Sequence, residues 1–583
     1  MKDLLPLFPY LKRYKLKIFW GFSFVVISIF LGSLYPLVLG NAVDELTKQT
    51  SNHSFLYYGV VSVSLMLISG IFLFFTRQTL IVVSREIEND MRYDFFTHLQ
   101  NLDKTFYNNT TTGDLMAHAT NDINNVRNLI GPGIMYSIQT LFRTVITLII
   151  LFNIAADITL IALLPLPLIS FLVYKVMKYM YSRSMKVQES FSNMTTKAQE
   201  NFSGIRVIKS YVREKFEIEE FNRISQDYQK KNLSLARLQA YSFPMMFLLT
   251  GISIILVIYF GGLKYISGKL TLGNITEFIV YLGQLTWPMI AFGWIINLVQ
   301  RAAPSMQRIM KIINTQPAIK DDNFTDKSIT PDKIKGGIEF KDVSFMYPGT
   351  DKFVLKNINL KIPEASTLGI IGHTGEGKTT LVNLLPRIFD STEGDIFIDG
   401  MDIKKIPLES LRKSIGIVPQ ESFLFSDSIE RNITYSSDEI DDIDVLRAAE
   451  VSGLYKDVNL FPEKFKTILG ERGITLSGGQ KQRTAIARAV YLKPKILILD
   501  DSLSAVDTHT EEEVLSGLRK VMRERTSIII AHRISTIQNA DKIIVISDGC
   551  IAEEGTHQEL LEKEGIYQSI YQKQLLEEEI EEL

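Results

Sequence analysis

A glycine-rich segment carries the clearest chemistry in the sequence. It reads Gly372, His373, Thr374, Gly375, Glu376, Gly377, Lys378, Thr379, Thr380. An apolar run typical of a buried strand, Thr367–Ile371, leads into it, and a stretch compatible with a helix, Thr380–Leu385, follows. Glycines at this spacing let backbone N–H groups face phosphate oxygens, and the first turn of the helix adds positive potential. The pattern predicts a site for ATP, with Lys378 on the β- and γ-phosphates and the Thr379 hydroxyl on Mg²⁺.

Two further apolar strands end in polar residues. Lys495–Leu499 is followed by Asp500, and Ser527–Ala531 is followed by His532. Because the carboxyl ends of parallel strands meet at one edge of a sheet, both side chains should lie beside the phosphate loop. Asp500 suits the coordination shell of a Mg²⁺ ion at that edge. A lone histidine is often structural, but three polar strand ends together favour a functional site.

The strongly apolar residues are concentrated in the first half of the chain. Six segments carry one charge or none: Ile18–Ala42, Gln49–Thr76, Asn128–Ala156, Ile158–Tyr174, Leu238–Leu263 and Phe278–Gln300. Each is close to the length of about 20 apolar residues that crosses a bilayer. They predict six transmembrane helices, with Arg143 as the one charge inside them. After Arg301, short apolar strands alternate with amphipathic helices.

The distribution of charge predicts the orientation and excludes two classes of protein. Lys and Arg concentrate before the first segment, between the second and third, and between the fourth and fifth. Positively charged loops remain in the cytoplasm. This predicts a multi-pass protein of the cell membrane whose N-terminus, C-terminus and second half are cytoplasmic. A net charge of −2 gives no support for binding nucleic acid, and the single cysteine, Cys550, permits no internal disulfide or cysteine-based metal site.

A second glycine-rich motif precedes an amphipathic helix, Lys481–Tyr491. It consists of Leu476, Ser477, Gly478, Gly479 and Gln480. Together with the phosphate loop and the six apolar segments, this motif makes the whole chain resemble a half-transporter of the ATP-binding cassette (ABC) exporters of type IV fold. The resemblance implies a multidomain protein: an all-α transmembrane domain of six helices over residues 1–315 and an α/β P-loop nucleotide-binding domain over 337–583. Residues 316–336 between them are rich in Asp, Lys, Thr and Pro with little apolar content, which predicts a linker.

The resemblance also assigns roles to single residues. Tyr347 looks like the aromatic residue that stacks on adenine. Gln420 resembles the glutamine that contacts Mg²⁺ and senses the membrane domain, so that Thr379, Gln420 and Asp500 would surround the metal. Asp501, His532 and Gln420 occupy the catalytic positions of the family.

In this family two nucleotide-binding domains enclose two ATP molecules, and each site joins the phosphate loop of one domain to the signature motif of the other. Ser477 and the glycines after it would therefore face the γ-phosphate held by a second half-transporter. Glu471 resembles the exporter X-loop, and Ser504–Asp507 resembles the D-loop. Phe106–Asp122 and Glu200–Glu214 resemble the two coupling loops, whose tips are expected to contact a cytoplasmic domain and transmit force.

Two positions depart from the family pattern. Asp501 stands where the family usually has Glu, the base that polarises the attacking water. Because Asp is one methylene shorter, the site built on this phosphate loop should bind ATP but hydrolyse it slowly; the alternative is that a backbone adjustment compensates. Glu376 stands where small residues are usual, and a solvent-facing variant is the favoured interpretation. With an intact signature motif, the pattern resembles the degenerate-site subunit of bacterial heterodimeric multidrug exporters.

Evidence on the substrate is sparse. Fusion of the two halves favours export over import, and the expected substrate is a hydrophobic or amphipathic small molecule. Arg143 is equally compatible with substrate contact and with structural pairing. Trp287, Phe292, Trp294 and Asn297 of the sixth segment could line an amphipathic pocket, although aromatic residues in membrane helices more often pack. Two other functions stay open: a homodimeric lipid flippase, and an ATP-gated channel or regulator that does not pump.

Overall fold

The computed structural model describes residues 2–48, 55–470, 473, 476–503 and 508–581. These residues form two compact units. The first contains the described residues of 1–100 and 113–315, and the second contains those of 101–112 and 316–583. The sequence prediction placed residues 101–112 in the transmembrane domain, whereas their contacts group them with the second unit.

The described residues up to position 315 are helical almost throughout. In chain order the helices are α1 Phe8–Arg13, α2 Lys15–Lys48, α3 Phe55–Thr76, α4 Val82–Gln100, α5 Lys104–Asn108, α6 Thr112–Ala117, α7 Ile123–Asn128, α8 Ile134–Leu163, α9 Pro165–Ser203, α10 Ile205–Ser210, α11 Glu214–Ile266 and α12 Leu272–Ile313. Short π-helical turns join α3 to α4, α6 to α7, and α7 to α8.

Four stretches of the described residues are long and apolar enough to cross a membrane: Lys15–Thr47, Phe55–Gln100, Thr112–Leu163 and Leu272–Ile313. The fourth predicted segment falls at the end of α8 and the start of α9. The fifth falls in α11, whose described apolar stretch, Thr250–Ile266, is shorter. Residues 49–54 of the second predicted segment lie outside the described residues.

The turn predicted between the third and fourth segments is a break inside α8. Ala155 leaves the helical conformation, with φ −159° and ψ 101°. The Thr159 hydroxyl donates hydrogen bonds of 2.8 Å to the carbonyls of Leu151 and Ala155, which caps the broken ends. Asp157, just after the break, forms an ion pair with Lys264 near the end of α11.

The helices α9 and α11 are both far longer than a bilayer is thick. At 1.5 Å per residue, the 53 residues of α11 extend about 80 Å, against about 30 Å of hydrocarbon. Outside the apolar segments, α9 and α11 are joined by polar contacts: Ser190 donates to Asp227 (2.9 Å) and Lys197 pairs with Glu217 (2.6 Å). This pairing stiffens the long charged loop between the fourth and fifth predicted segments.

The buried carboxylate of Asp122 joins the α6–α7 region, which precedes the third predicted segment, to α12, which contains the sixth. Asp122 is 5% exposed and accepts hydrogen bonds from Arg308 Nε (2.9 Å) and Ser305 Oγ (2.7 Å) on α12. His118 Nδ1 lies 2.6 Å from the same carboxylate. Burial of an ion would be unfavourable without these partners, so the cluster fixes α12 against the α6–α7 region.

The second unit contains two sheets. Its strands are β1 Ile338–Met346, β2 Phe353–Ile362, β3 Thr367–Ile371, β4 Glu393–Ile398, β5 Met401–Asp402, β6 Ile415–Val418, β7 Ile496–Asp500, β8 Thr526–Ile530, β9 Lys542–Ser547 and β10 Cys550–Gly555. Strands β2-β1-β4-β5 form an antiparallel sheet, and β10-β9-β3-β8-β7-β6 form a second sheet in which all neighbours except β9 and β10 are parallel.

Helices cover the second sheet. In chain order they are α13 Lys378–Asn383, α14 Leu408–Lys413, α15 Ile429–Ile433, α16 Asp442–Val451, α17 Tyr455–Val458, α18 Gly478–Tyr491, α19 Thr508–Met522, α20 Ile534–Ile537, α21 His557–Glu562 and α22 Ile566–Glu581. The five residues of β7 and the five of β8 are all buried, as expected for central parallel strands covered on both faces.

The segment predicted as a linker, residues 316–336, packs against the second unit. Ile329 and Ile334 are buried in its hydrophobic core, and the Ile329 carbonyl accepts a hydrogen bond of 2.8 Å from Ser410 Oγ. The Ala318 N–H donates to Asp103 Oδ2 (2.7 Å), which fastens residues 101–112 to the same unit. Although the segment is polar in composition, Ile329 and Ile334 attach it to the second unit.

The Asp122 cluster yields a stability test. We expect Arg308→Ala to lower the Tm of the purified protein, equivalent to about 1–2 kcal/mol, because it leaves a buried carboxylate short of its cation while half of the Arg308 side chain was already in solvent. Replacing Asp122 by Asn in the same chain should recover part of the loss. Arg301→Ala, an exposed arginine seven residues earlier on α12, is the matched control. Equal Tm values for the Arg308 and Arg301 variants would contradict this account.

Candidate functional site

The phosphate loop begins at the carboxyl end of the central strand β3. A Cβ at Gly372 would lie 2.3 Å from the Ile546 carbonyl oxygen, so any side chain there would clash with β9. Gly377 has φ +93° directly before α13, a conformation that glycine adopts at little cost. The loop therefore turns tightly enough to bring the first turn of α13 beneath the predicted phosphates.

Lys378 is held within this loop, and its contact with the β- and γ-phosphates stays a prediction. Its Nζ atom donates hydrogen bonds of 2.7 Å to the carbonyls of Gly372 and His373. Burial lowers the pKa of the Lys378 ammonium, while the nearby carboxylates of Asp501 and Asp500 favour its charged form. Phosphate oxygens are stronger acceptors than these carbonyls, so the ammonium is suited to bind them.

Two oxygen ligands suitable for Mg²⁺ meet beside Lys378. The Thr379 hydroxyl lies 3.1 Å from Asp500 Oδ1, and Asp500 is 3% exposed. Burial raises the pKa of Asp500, and the adjacent Asp501 adds to that effect. Within the described residues no group of three or more His, Cys, Asp or Glu could hold a metal ion. A hydroxyl and one carboxylate fit Mg²⁺ bound mainly through nucleotide phosphates and water.

The three predicted catalytic residues lie together, with Gln420 and His532 on the carboxylate of Asp501. Asp501 Oδ2 accepts a hydrogen bond of 3.2 Å from Gln420 Nε2 and lies 3.9 Å from His532 Nε2. The Asp501 backbone has φ +46°, and its N–H donates to the Ile530 carbonyl of β8 (2.9 Å). The strand ends thus place Gln420, Asp501 and His532 together, next to the Asp500–Thr379 pair.

Tyr347 and Thr380 mark the other side of the phosphate loop. The Tyr347 hydroxyl lies 2.9 Å from Thr380 Oγ1. Its ring packs edge-on against Phe345 and Phe389, with ring centroids 4.9 and 5.4 Å away. The adenine-stacking role of Tyr347 stays a prediction, and these contacts fix the position of its ring.

The signature motif caps its helix instead of contacting the phosphate loop. Ser477 Oγ accepts from the Gln480 N–H, and the Gln480 side chain accepts from the Ser477 N–H at 3.0 Å. Gln480 Nε2 also donates to Asp457 (3.2 Å). Ser477 and Gly478 are exposed. The motif therefore presents the N-terminus of α18 to the surroundings of this chain, where it can meet an anion.

Glu376 has a partner that the sequence did not indicate. Its carboxylate accepts a hydrogen bond from the Asp548 N–H in the turn between β9 and β10. This contact gives the carboxylate a fixed donor within the same unit, whereas the favoured interpretation from sequence was a solvent-facing variant. The contact joins residues 172 positions apart, which no local pattern could have revealed.

The contacts of Arg488 on α18, the helix that follows the signature motif, were also not predicted from the sequence. It donates to the carbonyls of Asn432 (2.7 Å) and Phe423 (3.0 Å), and its guanidinium lies over the stacked rings of Phe425 and Tyr435. The arginine thus ties α18 to the segment that follows Gln420. The predicted X-loop residue Glu471 and the predicted D-loop Ser504–Asp507 lie outside the described residues.

Known protein families, relatives and solved structures match this arrangement. Residues 18–289 match the ABC transporter transmembrane region, and residues 355–504 match the ABC transporter domain. A probable multidrug resistance ABC transporter ATP-binding/permease protein, YheI of Bacillus subtilis, is 36% identical over 545 residues, which cover 93% of this chain and 92% of that protein. An ATP-dependent lipid A-core flippase of Desulfotalea psychrophila is 34% identical, covering 96% and 97%.

A solved structure of a bacterial Atm1-family ABC exporter with ATP bound superimposes with a TM-score of 0.78 at 25% identity, covering 97% of this chain and 98% of that chain. The fold and the phosphate site define an ATP-hydrolysing membrane translocase. The chain belongs to the ABC transporter family and has the exporter arrangement, a helical transmembrane domain followed by an α/β nucleotide-binding domain. The predicted fold class is confirmed.

Asp500 gives a test with a defined sign. Its pKa is raised in the folded protein, so the folded state binds the proton more tightly than the unfolded state, and stability falls as pH rises through the raised pKa. We expect Asp500→Asn to raise the Tm of the nucleotide-free protein at pH 7 and to abolish the further rise produced by Mg-ATP. The exposed Asp351→Asn variant should change neither value, and a lower nucleotide-free Tm for Asp500→Asn would contradict the argument.

Proposed function

We propose that this protein exports hydrophobic or amphipathic small molecules as one half of an ABC heterodimer whose own phosphate loop holds ATP and hydrolyses it slowly. The carboxylate of Asp501 carries the proposal. It stands between Gln420 and His532 at the position of the general base. One missing methylene withdraws it from the attacking water, and a displacement of about 1 Å can reduce a rate about 100-fold.

The exposed signature motif supports the need for a second chain. A γ-phosphate would be stabilised by donors from Ser477 and the first backbone N–H groups of α18. Because Ser477 and Gly478 are exposed and the Gln480 side chain is held by Asp457 of the same domain, this helix terminus is available to complete another subunit's site. This chain therefore supplies a weak phosphate loop to one site and an intact signature to the other.

The tip of the second coupling region supports the same conclusion. Around α10, Phe202, Tyr211 and Val212 are 78%, 76% and 82% exposed, which is unusual for large apolar side chains in a polar loop. A contact with the nucleotide-binding domain of a partner would bury them. Closure of the two domains on ATP could then be transmitted to α9 and α11, since the tip lies between these helices.

The proposed cycle is alternating access. ATP has a higher affinity for the closed pair of nucleotide-binding domains, and this differential affinity drives the transmembrane helices to open outward. Hydrolysis at the partner's phosphate loop and release of product restore the inward-open state. The nucleotide-binding domain faces the cytoplasm and the transmembrane domain spans the cell membrane, in agreement with the distribution of Lys and Arg.

A homodimeric lipid flippase is the second candidate. The observation that favours it is the 34% identity to a protein named as a lipid A-core flippase over 96% of this chain. In that case both phosphate loops would be identical, and Asp501 would have to serve as the base in both sites. ATPase activity of the purified chain alone, stimulated by lipids, would support this candidate over the heterodimer.

Single substitutions at Ser477 and at Asp501 of this chain distinguish the heterodimer from the homodimer. In the transporter purified with its partner, we expect Ser477→Ala to reduce steady-state ATPase activity about 10-fold or more, because it removes a donor to the γ-phosphate in the partner's active site. Asp501→Asn should reduce it by less than about 2-fold, because the site that it serves contributes little turnover. Asp501→Glu should restore the missing methylene and raise activity.

Ser436→Ala, an exposed serine outside the site, is the matched control for the Ser477 variant. A homodimer places Ser477 and Asp501 in the same kind of site, so both substitutions would abolish activity equally. That outcome, with brisk ATPase activity from the chain purified alone, would contradict the heterodimer.

A further inference from the structure

The guanidinium of Arg143 lies within the membrane-spanning part of α8 and has no counter-ion among the residues that the structure describes. Leu141, Val145, Ile149 and Phe152 form an exposed apolar stripe on this helix. At 3.6 residues per turn, Arg143 lies on the opposite side. Among the described residues it makes no hydrogen bond or ion pair. A charge in this position is unfavourable unless a partner or ligand compensates it.

Two contacts fix the register between α8 and α12. The α6–α8 region meets α12 through the Asp122–Arg308 pair at the inner end, and the rings of Tyr136 and Trp294 lie 5.3 Å apart further out. Fourteen residues of sequence separate the two contacts on each side, so the α6–α8 region and α12 run antiparallel in matching register. Seven more residues outward on each helix bring Arg143 level with Trp287, and four more bring Thr147 level with Gly283.

The same depth is reached by α11. Thr250 Oγ1 lies 3.4 Å from Thr286 Oγ1 of α12, and a Cβ on Gly261 would lie 3.2 Å from Ile275. Eleven residues separate these contacts on each helix, so this pair is also antiparallel and in register. Ser253 is therefore level with Gly283 and with Thr147.

Two buried hydroxyls at this level have no hydrogen-bond partner among the described residues. Thr147 is fully buried and Ser253 is 1% exposed. Neither Thr147 Oγ1 nor Ser253 Oγ makes a hydrogen bond within the described part of the chain. A side chain on Gly283 would meet no described atom within 4 Å of its Cβ. A cation, two hydroxyl donors and free space thus coincide at one depth on three helices.

We propose that α8, α11 and α12 form an intramembrane site for the anionic group of an amphipathic substrate, with Arg143 as its cation and Thr147 and Ser253 as donors. A phosphate monoester fits best, because it accepts several hydrogen bonds and carries the opposite charge. Trp287, which is 54% exposed at the same depth, offers an aromatic surface to the apolar tail. The inference rests on the proposed export function and names the substrate class.

Binding, measured without nucleotide, tests the site separately from pumping. The transporter purified with its partner in nanodiscs would be titrated with dodecyl phosphate, with dodecyltrimethylammonium, which has the same tail and the opposite charge, and with inorganic phosphate. We expect dodecyl phosphate to bind at least about 10-fold more weakly to Arg143→Gln, because a charged hydrogen bond is lost. Arg143→Lys should recover part of the affinity, and the cationic amphiphile should change by less than 2-fold.

A second variant and a control complete the test. Thr147→Val with Ser253→Ala removes the two hydroxyls with little change in volume and should also weaken dodecyl phosphate selectively. Arg301→Gln, an exposed arginine at the inner end of α12, should bind like the unmodified chain. Equal loss of both amphiphiles, no loss, or inorganic phosphate binding as tightly as dodecyl phosphate would overturn the proposal. So would dissociation of the subunits by Arg143→Gln, since it would show that Arg143 pairs with the partner.

The outcomes distinguish this site from the export function itself. If Arg143→Gln leaves anion binding unchanged while ATP-driven transport of the cationic amphiphile persists, the anionic site is wrong and export stands. If no amphiphile of either charge stimulates ATPase activity or is transported, the export function is wrong.

Discussion

The nucleotide site depends on one geometric constraint, the alignment of the carboxyl ends of β3, β8 and β7. These strands are parallel neighbours, and their register places Ile370 opposite Ile530 and Ile530 opposite Asp500. The phosphate loop, Asp501 and His532 therefore all lie within one or two residues of the carboxyl ends of these strands. Because the strands are buried on both faces, neither Asp500 nor Asp501 can be moved toward the nucleotide without shifting the core. The length of the Asp501 side chain is thus decisive, and the surrounding strands have little freedom to compensate for it.

In the transmembrane domain, too, a few contacts set the register, here between long helices. The Asp122 cluster fixes α12 at its inner end, the Tyr136–Trp294 contact continues that register, and the Thr250–Thr286 contact extends it to α11. Once the register is fixed, polar residues far apart in sequence reach a common depth. In the proposed cycle, motion of these helices would change the space beside Gly283, so substrate affinity and helix position would be linked.

The sequence predicted the parts of the structure that follow local rules. The glycine spacing, the apolar strands that precede Asp500 and His532, and the charge-free segments each depend on neighbouring residues. The structure has strands β3, β7 and β8 beside these motifs and helices over the described parts of the six segments. Contacts between distant residues could not be predicted. The Glu376 contact with Asp548 and the Arg488 contact with Phe423 depend on the folded arrangement. Two isoleucines in a polar segment, Ile329 and Ile334, give no periodic pattern, so the composition of residues 316–336 predicts a linker but not its packing against the core.

The central claim is that this chain's phosphate loop retains ATP while the partner's turns it over. The most direct measurement is vanadate trapping of the intact transporter during turnover, followed by identification of the nucleotide bound at each phosphate loop. Vanadate traps ADP only where hydrolysis has occurred. The account predicts intact ATP at the loop that contains Lys378 and trapped ADP at the partner's loop. Trapped ADP at Lys378, in an amount equal to that at the other site, would contradict it.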